Sequence, residues 1–95
     1  MDRVKWTVDD NTAILTMQSG ENRLNISFCN DMLKALDDIE TTTNVTALVV
    51  DASDPKIWCN GMDLDWLLPA IGRKDPEVQE FFKIQDELYR RITFY

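Results

Sequence analysis

The chain contains no histidine. That removes the commonest general base and the commonest metal ligand, so Ser/His/Asp and Cys/His catalysis and a zinc centre are excluded within it. It has only 2 cysteines, Cys29 and Cys59, and no Cys-x-x-Cys pair, so both read as free thiols of a reducing compartment. Positive charge is scarce: 10 Lys and Arg stand against 17 Asp and Glu, a net charge of −7. No basic cluster exists to displace counterions, which argues against a nucleic-acid or anionic-membrane partner. The nearest thing is Arg90-Arg91, read as the solvated face of a helix. Long apolar runs are missing too. Ala47 to Val50 falls far short of the roughly 20 residues that span a bilayer. The start, Met1-Asp2-Arg3-Val4-Lys5, has no apolar core of a signal peptide. The expectation is a cytoplasmic protein with no membrane partner.

What is present is the composition of a globular domain, 44% hydrophobic and 28% charged. Ninety-five residues make one domain at most. A chain this short buries roughly 60–65% of its unfolded surface, which leaves it marginal alone.

Arg3 to Val8 alternates, with Val4, Trp6 and Val8 on one side, as in a half-buried strand. Asp9-Asp10-Asn11 marks a turn, and Thr12 to Met17 is rich in strand formers, so the two predict a hairpin. After the loop Ser19 to Arg23, Ser27 is the expected N-cap of a helix running to about Glu40. Phe28, Met32, Leu33, Leu36 and Ile39 form its apolar stripe. Val45 to Ala52 follows, apolar on both faces, as expected for a central parallel strand covered on both sides. Thr12–Met17, the helix and Val45–Ala52 thus predict a βαβ unit. A short helix, Leu64 to about Leu68, is expected to stop at Pro69. Asp75 as N-cap and Pro76 at the first position open a last helix, with Val78, Phe81, Phe82, Gln85, Leu88, Tyr89 and Ile92 at helical spacing. The chain finishes on Phe94-Tyr95 with no cap and no polar tail, which reads as a cut inside a larger fold.

The stretch Ile57-Trp58-Cys59-Asn60-Gly61-Met62-Asp63-Leu64 lies between the third strand and the short helix. A glycine there lets backbone approach a ligand. The amides after it are the unsatisfied donors of a helix N-terminus and favour partial negative charge. Asn60-Gly61 is also a common hairpin dipeptide, but the helical Leu64-Asp65-Trp66-Leu67-Leu68 that follows argues against a second strand.

Two stretches together resemble the crotonase superfamily, the enoyl-CoA hydratases and isomerases. One is Arg23-Leu24-Asn25-Ile26, similar to the family's Asn-Ala-Leu turn, with Ile26 where a small residue is usual. The other is Ala47-Leu48-Val49-Val50 followed by Trp58-Cys59-Asn60-Gly61-Met62-Asp63-Leu64, similar to its aromatic-Cys/Ser-x-Gly-x-Asp-Leu loop. Asn60 to Trp66 looks most like the Δ3,Δ2-enoyl-CoA isomerases.

The resemblance implies an α/β fold of ββα units around a parallel βαβ core, with residues 1–95 as the N-terminal part of a crotonase-like domain. It implies that the Met62 amide, after Gly61, is one donor of an oxyanion hole that stabilises an enolate. It places Arg23, Leu24, Asn25 and Asn60 in the CoA-binding set, together with the loop's closing Asp63 and Leu64. Arg23 would meet phosphate and Asn60 the adenine. Coenzyme A enters as part of the acyl-CoA substrate, with no separate cofactor and no metal. Full-length members form trimers or hexamers. The second oxyanion amide and the proton-transferring glutamates come from later sequence in the family, so this chain is expected to hold half a site and to be inactive alone.

Local chemistry offers plainer roles. Asp63 reads as a carboxylate on a helix dipole, Asp65 as solvent-facing, and Trp58 and Trp66 as core or rim packing. Cys29 and Cys59 read as small buried hydrophobes. Glu40, Glu77, Glu80 and Glu87 read as solvated helix faces. Phe81 and Phe82 are core, or the wall of an acyl pocket. Two other functions fit the residues: a free-standing acidic α/β interaction module with Phe94-Tyr95 and the aromatic last helix as its partner surface, and a non-catalytic CoA-binding fragment.

Overall fold

Alternation in the first 17 residues builds a hairpin, seen in a computed structural model that describes residues 2–95. Strand β1 (Val4–Asp9) pairs antiparallel with β2 (Thr12–Met17), from Val4 opposite Met17 to Asp9 opposite Thr12. Asp10 takes the turn with φ +55°, a left-handed conformation that Asp tolerates better than most residues.

Helix α1 (Ile26–Thr42) carries the chain over to β3 (Ala47–Ala52), which pairs parallel with β2 from Thr12 opposite Ala47 to Met17 opposite Ala52. The βαβ unit is therefore present. Ala13, Leu15 and Met17 of β2 are fully buried beneath α1, whose inner face is Phe28, Cys29, Met32, Ala35, Leu36 and Ile39. Helices α2 (Leu64–Gly72) and α3 (Glu77–Thr93) complete that layer through Leu67, Phe81 and Leu88. Arg91 ties α3 to α1, reaching Asp37 at 2.7 Å and Glu40 at 3.1 Å.

Five expectations are corrected. First, β3 is not central in the sheet formed by the described residues. The sheet order is β1-β2-β3, so β3 is an edge, and Val49 is 48% exposed on the uncovered face. Leu48, Val50 and Ala52 pack against the core while Ala47, Val49 and Asp51 are exposed, so only one face of the strand gains a layer. Second, the cap of α1 is Asn25, not Ser27. Its backbone is extended and its Oδ1 accepts from the Phe28 amide at 2.9 Å. The same helix outlasts Glu40 because the Thr41, Thr42 and Thr43 hydroxyls donate back to carbonyls of Asp37, Asp38 and Ile39.

Third, Pro69 does not stop α2; the helix continues to Gly72 around it. It ends instead with the Asp75 amide on the Ala70 carbonyl and the Lys74 amide on Ile71, Lys74 being left-handed at φ +55°. Fourth, α3 begins at Glu77 with Pro76 at its cap position, though Asp75 still accepts from the Glu77 amide at 2.9 Å. Fifth, Arg91 is a packed inter-helix contact and not a solvated one.

Candidate functional site

Two loops that lie some 38 positions apart in sequence meet at the start of α1 and α2. Residues 19–25 leave β2, and residues 58–63 arrive after β3. Leu24 and Met62 form a parallel bridge: the Leu24 amide donates to Gly61 O at 2.8 Å, and the Asp63 amide donates to Leu24 O at 2.9 Å. One step earlier the Asn60 amide donates to Glu21 O at 3.0 Å.

These three bonds do not fit an unbroken parallel ladder. After the bond from Asn60, a regular ladder would run from the Arg23 amide to Asn60 O and then from the Met62 amide to Arg23 O. Each chain instead inserts one left-handed residue, Asn22 at φ +54° and Gly61 at φ +80°. Because backbone groups alternate sides with a period of two, one extra residue reverses which groups face the partner. The Met62 N–H thus turns away from the Leu24 segment and meets no acceptor among the described residues. It lies just before the N-terminus of α2, where the helix field adds to its donor strength.

The two helix caps touch. Asn25 Nδ2 donates to Asp63 Oδ2 at 3.3 Å, while Asp63 Oδ1 accepts from the Trp66 amide at 3.4 Å. Asp63 is therefore the N-cap of α2, in keeping with a dipole role. Behind it Trp66 packs edge-on against Phe81, with centroids 5.5 Å apart. A shallow cavity of about 330 Å³ opens between Asn25, Ser27, Asp63, Trp66 and Glu77. A larger one of about 530 Å³ lies between the far ends of α1 and α3 and takes in none of these residues.

The sequence candidates gather here, with differing fates. Gly61 has nothing within 4 Å of where a Cβ would sit, so within this chain its φ makes the demand, not close approach. Leu24 is buried and spends both backbone groups on the bridge. Arg23 is exposed and its guanidinium is held by Glu21, at 2.6 and 2.7 Å, so its charge is already compensated. Asn60 is exposed, its Nδ2 donating to Glu21 Oε2 at 3.1 Å. The Asn60 amide, then the Arg23 guanidinium, hold the Glu21 carboxyl below the usual carboxylate range. Leu64, at the start of α2, is 46% exposed. Trp58 is a rim residue whose indole donates to the Val50 carbonyl on the outer edge of β3.

Asn22 and Glu21 were missed. Asn22 is fully buried: Oδ1 accepts from the Ser19 amide at 2.8 Å and Nδ2 donates to Trp58 O at 2.8 Å. Asn in a Gly-containing loop signals a left-handed position, but nothing in sequence shows its reach to Trp58. Cys59 is half-buried, not a bare apolar filler, since its Sγ donates to Asn22 O at 3.1 Å. Burial, with a smaller contribution from the neighbouring Cys59, pushes the Cys29 thiol up to about 11. Among the described residues no group of three or more Cys, Asp or Glu is placed to hold a metal ion. Among the described residues no helix is long and apolar enough to cross a membrane.

The family model described as enoyl-CoA hydratase/isomerase matches residues 11–95. Among solved structures, a Legionella pneumophila protein described as an enoyl-CoA hydratase/isomerase (crotonase) superposes with a TM-score of 0.78 over 97% of this chain and 36% of its own, at 24% identity. A Mycobacterium tuberculosis protein, described in one structure as an enoyl-CoA isomerase and in another as a probable enoyl-CoA hydratase, gives in the first 0.72 over 92% and 35%, at 25% identity. An enoyl-CoA hydratase of Mycobacterium marinum gives 0.63 over 77% and 32%, at 28% identity. The fold is thus crotonase-like, and the chain spans about a third of the length of these structures. No curated protein matches the chain.

Proposed function

The chain belongs to the enoyl-CoA hydratase/isomerase family, and on that premise we propose that it supplies one half of an acyl-CoA site, with the Met62 N–H as an oxyanion-hole donor. The observation that carries this is the outward-turned Met62 amide, freed by Gly61 and set at the start of α2. When a proton leaves the carbon next to a thioester, negative charge collects on the carbonyl oxygen. A fixed amide aimed at that oxygen stabilises it without reorganising, and one such donor is typically worth roughly 3–4 kcal/mol of barrier.

Coenzyme A is part of the substrate in this proposal. The turn Arg23-Leu24-Asn25 borders its phosphates and the Asn60 carbonyl its adenine, with Asp63 and Leu64 closing the loop. Arg23 is shared with Glu21, so a phosphate must compete for the guanidinium. A second amide and the groups that move the proton come from outside these 95 residues, so the chain alone binds weakly and does not turn over. Isomerase chemistry is favoured over hydration by the stretch Asn60-Gly61-Met62-Asp63-Leu64-Asp65-Trp66. The working assembly is a homo-oligomer, trimer or hexamer, in the cytoplasm.

The test is a ¹⁵N titration with octanoyl-CoA, a saturated thioester that offers a carbonyl and cannot react. The Met62 and Gly61 amide signals should move first, with free CoA moving only those near Asn60 and Arg23. Shifts confined to the far ends of α1 and α3 would place the ligand elsewhere and end this reading.

A further inference from the structure

Asn22 is the only polar side chain among the described residues that is fully buried, and an oxyanion donor needs nothing from it directly. A residue that merely makes a turn needs the local half of its bonding, Oδ1 to the Ser19 amide. Asn22 also reaches across the molecule. Its Nδ2 donates to the Trp58 carbonyl, 36 positions on, and its own carbonyl accepts from Cys59 Sγ. Those bonds seize the second loop just upstream of Asn60 and Gly61. Its backbone at φ +54° supplies one of the two insertions that put the loops out of step.

We infer that Asn22 is a positioning residue for the Met62 amide. Its left-handed backbone and its side-chain bond to Trp58 hold the two loops one residue away from a regular ladder, and this keeps the Met62 N–H pointing outward. Gly61 alone does not fix this state, since glycine accepts either hand of backbone and would also fit the regular ladder. In that ladder the Arg23 carbonyl would capture the Met62 N–H and the donor would be lost. The inference rests on the acyl-CoA reading only for the use made of that donor; the positioning itself needs no ligand.

The experiment is amide hydrogen exchange with ¹⁵N spectra of the full chain, comparing wild type, Asn22→Val and Asn22→Asp. Val disfavours positive φ and removes both side-chain bonds. Asp keeps the acceptor for Ser19 and loses the donor to Trp58. In Asn22→Val the Met62 amide should exchange about tenfold or more slowly than in wild type while the Leu36 and Leu88 amides exchange faster. Loss of structure alone speeds exchange everywhere, so opposite movements distinguish positioning from stability. In Asn22→Asp the Trp58 to Met62 signals should shift while those of Leu36 and Leu88 stay. Unchanged Met62 signals in both variants overturn the inference.

Should the Val variant not fold, wild type and the Asp variant decide. The Asn22 side-chain amide protons should exchange at least about tenfold more slowly than those of exposed Asn30 and Asn44, and equal rates overturn the inference. A Met62 amide that ignores octanoyl-CoA, with these results intact, counts against the ligand assignment and not against the positioning.

Discussion

Asn25 and Asp63 each cap a different helix, and their side chains meet at 3.3 Å. One contact thus joins the start of α1 to the start of α2. Removing either cap should cost about 1 kcal/mol. Asn25→Ala and Asp63→Ala, measured by urea unfolding, should together show a coupling of about 0.5–1 kcal/mol. Strict additivity would mean the contact carries no energy.

Gly61→Ala tests the conformational demand separately from crowding. Nothing lies within 4 Å of the added methyl, so the cost is that of φ +80° for an L-residue, about 1–2 kcal/mol. Thermal unfolding should show that loss, together with weaker perturbation of the loop by octanoyl-CoA. A neutral variant would show that the left-handed backbone is not required.

The end of α2 is built the wrong way round for its glycine. Lys74 holds φ +55° while Gly72 sits inside the helix without one. Lys74→Gly should therefore stabilise the protein by about 0.5–1 kcal/mol, and Gly72→Ala, with open space around it, by up to about 1 kcal/mol. Denaturation midpoints check both, and a loss in the first variant would point to a role for the lysine side chain.

The two thiols should differ sharply in reactivity. Cys29 is buried and its pKa is raised to about 11, whereas Cys59 is half-buried. At pH 8 an alkylating reagent should label Cys59 first, by roughly tenfold or more, because the thiolate is the nucleophile. A raised thiol pKa favours the protonated form in the native state. Its stabilising effect is present below the ordinary value of 9.0 and is lost as pH rises through about 11. Stability should fall across that window in wild type and less so in Cys29→Ala.

Glu21 holds the Arg23 guanidinium, so under the proposed acyl-CoA reading a phosphate must compete with it. Glu21→Gln should tighten free CoA binding about two- to fivefold at low salt, an advantage that fades toward 0.5 M as the charges are screened. Because Asn60 and Arg23 lower its pKa, the Glu21 tie persists to below the usual carboxylate range and breaks as pH falls further. A carboxyl-detected titration of Glu21 should give a midpoint below that of an unpaired glutamate. Salt-independent tightening would remove Arg23 from the phosphate contacts.

Much of the architecture was legible because it is set over a few residues. The alternation of Val4 and Trp6, the turn at Asp10 and the stripe from Phe28 to Ile39 each act within one or two turns of chain, whereas Val8, expected on the same side, is exposed. Helix ends were harder. Asn25 lies two residues before Ser27, and both residue types cap; the choice fell to Asn25 because its Nδ2 also reaches Asp63. Pro69 reads as a stop, yet α2 runs past it because the favourable burial of Leu67 and Ala70 outweighs one missing hydrogen bond. Arg91 looked solvated because its partners, Asp37 and Glu40, lie about fifty positions away.

The sequence by itself determined which segments are strand and helix, and that a Gly-containing loop precedes a helix start. Those are properties of short range, written in side-chain shape and periodicity. Tertiary structure alone decided that Leu24 pairs with Met62, with Asn22 and Gly61 as the inserted residues, and so which way the Met62 N–H points. That direction depends on the register between segments nearly forty residues apart, and register is a property of pairing that neither segment carries alone.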